Sequence, residues 1–210
     1  MTSSKATNWP QNAPPLLVVL SGPSGAGKDT ILQHLRKLQQ SLHFVVTTTT
    51  RPRRESEVNG IDYIFLSRTR FMKMVDQDEF LEYADVYGHL YGSPRQQIRD
   101  GFSMGKDVIL KLDIQGAEAV KRLMPDTLLI FLAPGSEGEL RTRLQQRNSE
   151  RGPHLERRIQ AAQIEMGHLQ QFDYCVVNRE GHIEEAVDCI DAIIRAERCR
   201  IPPRLVTVQS

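Results

Sequence analysis

The sequence predicts an α/β fold, a parallel sheet flanked by helices, and three observations carry that prediction. Leu16 to Leu20 (LLVVL) is a continuously apolar, partly β-branched run of the kind buried on both faces of a parallel sheet. Similar runs recur at Asp107 to Asp113 (DVILKLD) and Leu128 to Ala133 (LLIFLA), each followed by a helical pattern. From Thr48 to about Gly101 this alternation breaks. Arginines, glycines, tyrosines and short apolar pieces replace it, which marks an inserted β-rich lobe. A chain of 210 residues is long enough for one such domain with an insert and a sizeable core.

In chain order, residues 1–15 are polar and carry three prolines, Pro10, Pro14 and Pro15, so they read as a flexible arm. They lack the basic-then-apolar order of a signal peptide. The LLVVL strand ends in a glycine-rich turn. Lys28 to Gln40 then places Ile31, Leu32, Leu35 and Leu38 at helical spacing. Phe44 to Thr47 reads as the next strand. Within the lobe, residues 48–101, Ser93 followed by Pro94 is a helix-start signal, with serine as cap and proline at the first helical position. Cys175 to Val177 is a weaker strand before a helix from Ile183 to about Glu197. The core therefore comprises residues 16–47, 102–142 and 166–200, and residues 201–210 form a frayed tail.

Composition excludes more than it names. Lysine and arginine total 27 against 26 acids, a net charge of +1, which is not the footprint of a nucleic-acid binder. No apolar run approaches the roughly 18 residues of a membrane span, so no membrane partner is expected. Cys175, Cys189 and Cys199 are odd in number and lack CxxC spacing, which fits a reduced, cytoplasmic setting without bridges. The six histidines lie scattered without metal-ligand spacing, so no structural metal is expected.

Between the first strand and first helix, Gly22-Pro23-Ser24-Gly25-Ala26-Gly27-Lys28-Asp29-Thr30 fits G-x-x-x-x-G-K followed by a polar residue. The glycines let successive backbone N–H groups turn inward around phosphate oxygens, and the helix adds the positive end of its dipole. Lys28 supplies a mobile positive charge for the β and γ phosphates. The strand before and the helix after make this a P-loop NTPase core, with a nucleoside triphosphate as ligand. Asp29 departs from the pattern, because a neutral Ser or Thr hydroxyl normally follows the lysine and binds Mg²⁺. A carboxylate there can ligate Mg²⁺ directly or through water, or can interact only with the helix dipole.

The run Thr47 to Arg54 (TTTTRPRR), continuing through Glu57 and Gly60 to Tyr63, is more specific. Arg51, Arg54 and Tyr63 offer guanidinium forks and a phenolic hydroxyl to the oxygens of a monophosphate, although the arginines alone would also fit a solvated basic turn. Together with the phosphate loop, Phe80-Leu81-Glu82, Tyr91-Gly92-Ser93 and Asp113-Ile114-Gln115-Gly116-Ala117, this run resembles the guanylate kinase family. The resemblance extends from about Leu16 to about Cys199. It implies that residues 48–101 form a GMP-binding lobe in which Arg51, Arg54, Tyr63 and Tyr91 grip the GMP phosphate. It implies that Glu82 reads guanine, because a carboxylate accepts both N1–H and the 2-amino hydrogen, with Ser93 and Thr47 adding hydroxyls. Asp113, at the end of a strand, would lie between the two nucleotides. Many family members carry an acid where this chain has Lys111. Asp29 and Lys111 therefore either form a pair, or mark a carboxylate ligand moved from strand to loop with Lys111 balancing its charge.

Leu140 to Glu165, with Arg141, Arg143, Arg147 and Arg158, matches the family's lid in spacing, which assigns residues 143–165 to a helical, arginine-rich lid. Arg143, Arg147 and Arg158 are the candidate cations for the γ-phosphoryl group, beside Lys28. Asn148 and the run Arg151-Gly152-Pro153 are unusual there. Asp173 to Asn178 resembles the strand leading to the adenine side, with Asn178 as a neighbour of the base. The resemblance implies ATP-dependent phosphorylation of GMP, and of dGMP, in purine nucleotide metabolism. Mg²⁺ would accompany ATP, and the chain would act as a monomer or homodimer. Two alternatives stand beside it. One is a non-catalytic module of the same fold that binds protein, which usually has a degraded phosphate loop. The other is a related sugar-phosphate kinase, which would not need Glu82, Tyr91 and Ser93 arranged for guanine.

Overall fold

The fold was described from a computed structural model over residues 13–38, 41–55, 57–86, 88–147 and 153–207, with the backbone alone at 146, 147, 153 and 154. The first strand, β1 (Leu17–Ser21), is buried along its whole length because it is the middle strand of five. Around it lie β2 (Leu42–Phe44), β7 (Asp107–Lys111), β8 (Leu128–Pro134) and β9 (Tyr174–Asn178), in the order β2-β7-β1-β8-β9, all parallel. Successive side chains of a strand point to opposite faces, so an unbroken apolar run serves both. Val18 and Leu20 pack with Ile31 and Leu35 of α1 (Lys28–Leu38) and with Ile190 and Ile194 of α7 (Ile183–Arg198). Leu17 and Val19 pack with Ile98 of α3 (Arg95–Ser103) and Val120 of α4 (Ile114–Leu123). Each such side chain contributes about 1.5–3 kcal/mol through burial.

The insert forms a second sheet from β3 (Thr48–Thr49), β4 (Ile64–Phe65), β5 (Phe80–Val86) and β6 (His89–Pro94), in the order β4-β3-β6-β5. Helix α2 (Arg68–Asp76), capped by Ser67 Oγ accepting from the Arg70 N–H, brings Phe71 onto Phe80 with ring centroids 4.5 Å apart. Gly92 permits this stack, since a Cβ there would stand 2.8 Å from the Phe80 ring. Farther along, α5 (Glu137–Arg147) and α6 (Pro153–Met166) close a small cluster of Leu140, Leu144, Leu155, Ile159 and Ala162.

Three expectations are corrected. Of the strand expected over Phe44–Thr47 only Phe44, the end of β2, is in a strand, and residues 45–47 cross from the first sheet to the second. Val46 sits at the crossing, where Gln97 receives its N–H at 2.8 Å and donates to its carbonyl at 3.0 Å, replacing the ladder bonds. Ser93 does not cap α3: it lies in β6, its hydroxyl donates to Glu82, and the helix begins at Arg95 with Pro94 in the cap position. The tail is held to the core at Arg204, Leu205 and Val206. Buried Arg204 meets buried Glu197 at 2.6 Å, and Leu205 N–H donates to Asp126 at 3.3 Å. Among the described residues no helix is long and apolar enough to cross a membrane.

Candidate active site

The loop between β1 and α1 turns on Gly22 and Gly27, at φ +133° and +94°. A side chain at Gly22 would overlap the Leu132 carbonyl, and one at Gly27 the Asn178 amide, so neither position admits another residue without displacement. Lys28 reaches back over the loop and donates to the carbonyls of Gly22 and, at 3.1 Å, Pro23. Burial pushes its ammonium down to about 8, against the pull of Glu165 and Asp29. Two further contacts reach Ser24. Arg158 donates to its hydroxyl at 2.9 Å, and Glu165 receives its N–H at 3.2 Å.

On one flank of the loop lies a cleft of about 400 Å³, lined by Gly25, Gly27, Thr30, Arg143, Asn178 and Glu180 among others. Asn178, at the end of β9, donates to the Ala26 carbonyl at 2.8 Å. Arg143 donates to the carbonyls of Ala26 at 3.4 Å and Asn178 at 2.9 Å, and pairs with Glu180 at 3.1 Å. These bonds hold α5 to the loop and give the cleft a cationic wall.

A second cleft of about 230 Å³ is lined by Lys28, Asp29, Thr47, Tyr63, Glu82, Tyr91, Lys111 and Asp113, with Ala84, Val86 and Leu112. Thr47 is buried just before β3. Glu82 lies on β5 opposite Ser93 of β6, whose hydroxyl donates to it at 2.7 Å. Burial pushes the Glu82 carboxyl up to about 7, Asp113 adds to the shift and Ser93 opposes it. Gly116 keeps this corner open, since a Cβ there would sit 3.2 Å from carboxylate oxygens of both Glu82 and Asp113. Asp113 caps α4 by accepting the Gly116 N–H at 2.8 Å. The alternative in which Asp29 and Lys111 pair is the one the geometry contains, with Lys111 Nζ 2.7 Å from Asp29 Oδ1.

Arg51 stands at the edge of this cleft, over the rings of Tyr63 at 5.4 Å and Phe65 at 5.7 Å, and pairs with Glu57 at 2.7 Å. The Tyr63 and Tyr91 rings meet edge to face at 6.0 Å. Glu57 also receives the backbone N–H of Arg54 at 2.8 Å, while the Arg54 side chain is exposed. Although burial opposes its ionisation, the bonds from Arg51 and Arg54 hold the Glu57 carboxyl below the usual range. Pro23, Ser24, Gly25 and Ala26 complete the loop, with Ala26 N–H closing a turn onto the Pro23 carbonyl at 3.1 Å.

Of the predicted site residues, Gly25, Gly27, Thr30, Arg143 and Asn178 line the first cleft and Lys28, Asp29, Thr47, Tyr63, Glu82, Tyr91 and Asp113 the second, whereas Arg51, Arg54, Ser93 and Arg158 line neither. Arg143 lines the first and Arg158 touches Ser24, so these two lid arginines occupy different places. The Arg147 side chain, and residues 148–152 with Asn148 and Arg151, lie outside the described residues. Sequence reasoning assigned no role to Glu57, Glu165 or Glu139, which receives bonds from Arg143 at 3.4 Å and from the Glu180 N–H at 3.1 Å. Only Glu139, four residues before Arg143 on a helix, had a spacing that could have revealed it.

A five-stranded parallel sheet with a glycine-rich loop at its central strand, flanked by two polar clefts, defines a P-loop protein of the nucleotide-kinase class. Comparison with known proteins narrows this. The guanylate kinase family model matches residues 15–197, and the chain belongs to that family. It is 42% identical over 195 residues to guanylate kinase 2, chloroplastic/mitochondrial, of Oryza sativa, covering 92% of this chain and 68% of that one. It is 40% identical over 185 residues to guanylate kinase of Carboxydothermus hydrogenoformans, covering 88% and 90%. The crystal structure of guanylate kinase from Anaplasma phagocytophilum aligns with a TM-score of 0.73 at 32% identity, covering 90% of this chain and 89% of that one.

Proposed function

We propose that the chain transfers the terminal phosphoryl group of ATP to GMP, and to dGMP, releasing ADP and the nucleoside diphosphate. The observation that carries this reading is the second cleft, where a buried carboxylate with a hydroxyl partner opens beside the phosphate loop. Glu82 accepts guanine N1–H and the 2-amino group, with Ser93 and Thr47 around the base. Adenine presents a lone pair at N1, so the carboxylate would be left unpaired, a mismatch of the kind that costs about 10⁴-fold in specificity. Arg51, Arg54, Tyr63 and Tyr91 hold the acceptor phosphate, and residues 48–101 act as the acceptor lobe.

ATP lies along the loop from Gly22 to Thr30, with Lys28 on its phosphates and its base toward the Arg143 and Asn178 cleft. The attacking phosphate oxygen is already anionic, so no general base is needed. The protein positions the two phosphates and stabilises the charge that spreads over the transferred group. Arg147 and Arg158, on the lid over residues 143–165, complete that stabilisation. Mg²⁺ would neutralise the β and γ phosphates. Oδ1 of Asp29 is held by Lys111, so the residues fit an ion carried chiefly by phosphate oxygens, with Asp29 at its side.

An ADP-release assay with GMP, dGMP, AMP and a sugar phosphate tests the reading. Turnover with the two guanine nucleotides alone is expected. Turnover only with the sugar phosphate, or with none of the four, would refute it.

A further inference from the structure

Lys111 ends β7 and lines the second cleft with only 17% of its side chain exposed. Its ammonium donates to Asp29 Oδ1 at 2.7 Å and to the Tyr63 hydroxyl at 3.1 Å, and lies 4.4 Å from the centre of the Tyr63 ring. It therefore links the first turn of α1, on the triphosphate side, to the tyrosine assigned above to the acceptor phosphate. Neutralising Asp29 would require only the first of these bonds. The second aims the cation across the cleft.

Donor counting shows what that cation can do. An ammonium has three N–H donors, and among the described residues Asp29 and Tyr63 receive two. Because the Tyr63 hydroxyl accepts from Lys111, its own proton is available to an anion in the cleft. Burial disfavours the charged form of Lys111, but Tyr63 and Asp29 outweigh it and hold the ammonium protonated. Lys28 lies close enough to feel the charge of Lys111, and although Asp29, Glu82 and Asp113 line the same cleft, these two ammonium groups are the cations there that an anionic ligand would meet.

We propose that Lys111 is an acceptor-phosphate binding residue: its third N–H donates to an oxygen of the phosphomonoester that Tyr63 holds, while Asp29 fixes the ammonium in place. This rests on the proposed function, and it makes Lys111 a discriminator between the nucleotide and the bare nucleoside. One charge-assisted hydrogen bond corresponds to about a tenfold to hundredfold change in affinity.

The test is calorimetric titration of GMP and of guanosine, without ATP or Mg²⁺, into the wild type, K111M, K111R and the double variant D29N/K111M. K111M is expected to weaken GMP by about tenfold to a hundredfold and to leave guanosine unchanged, with partial recovery in K111R. The double variant, which removes the Asp29 charge together with that of Lys111, is expected to remain weak for GMP. GMP affinity unchanged in K111M, an equal loss of GMP and guanosine, or wild-type affinity in the double variant would each overturn the inference. A wild type that binds neither ligand would contradict the proposed function itself, and that outcome is read from the wild type alone.

Discussion

Glu82 meets opposing demands in one carboxylate. Burial raises its proton affinity to about 7, whereas guanine requires the ionised form. GMP affinity is therefore expected to fall about tenfold per pH unit as pH drops below 7, and a calorimetric pH series measures this. In Glu82→Gln the part of that pH dependence centred near 7 should vanish together with most of the affinity, leaving only the titration of the GMP phosphate itself, at about pH 6. Stability moves the other way. A carboxyl whose folded pKa lies above its unfolded value stabilises fully below the unfolded value and loses that contribution as pH rises through 7. Glu82→Gln is accordingly expected to be more stable than wild type at pH 8 by about 1–3 kcal/mol, read from denaturant midpoints. Glu82 was singled out only through the resemblance to the family, since a glutamate after Phe-Leu carries no signal of its own, and its environment was not legible at all. Its burial depends on Ser93, eleven residues away, and on Gly116, which lets α4 approach.

At the scale of elements, the glycines and short polar side chains decide where strands stop and helices begin. The buried strands of the core were legible, since a continuous apolar run needs no partner to be recognised. The split between β2 and β3 was not, because it depends on Gln97 bonding both backbone groups of Val46 across 51 residues of chain. Gln97→Ala leaves these groups partnerless and is expected to cost about 1–3 kcal/mol in thermal unfolding. Gly92→Ala forces a Cβ against Phe80 in a lobe whose core is small. It should cost a similar 1–3 kcal/mol or so, with a larger loss of GMP affinity than of ATP affinity. The docked tail follows the same logic. Arg204 satisfies a buried Glu197 that also accepts from Tyr174 at 2.7 Å, a partnership between elements that composition near the C-terminus cannot announce. Arg204→Met strands that carboxylate and is expected to lower stability by about 3–5 kcal/mol.

Across the whole molecule, a net charge of +1 conceals a partition. Cations gather at Lys28, Arg51, Lys111 and Arg143 around two clefts, and each has an acid or carbonyl of the protein within hydrogen-bond reach. The parallel core carries the loop and the second sheet carries Glu82, so the molecule sets two clefts, of about 400 Å³ and about 230 Å³, beside the phosphate loop. What the two clefts are proposed to perform is direct transfer of a phosphoryl group from one nucleotide to the other. Phosphorus NMR of the protein with ATP, GMP and Mg²⁺ tests it most directly. The γ resonance of ATP is expected to disappear as the β resonance of GDP grows in equal amount, without inorganic phosphate. Release of inorganic phosphate with GMP unchanged, or no loss of ATP, would contradict it.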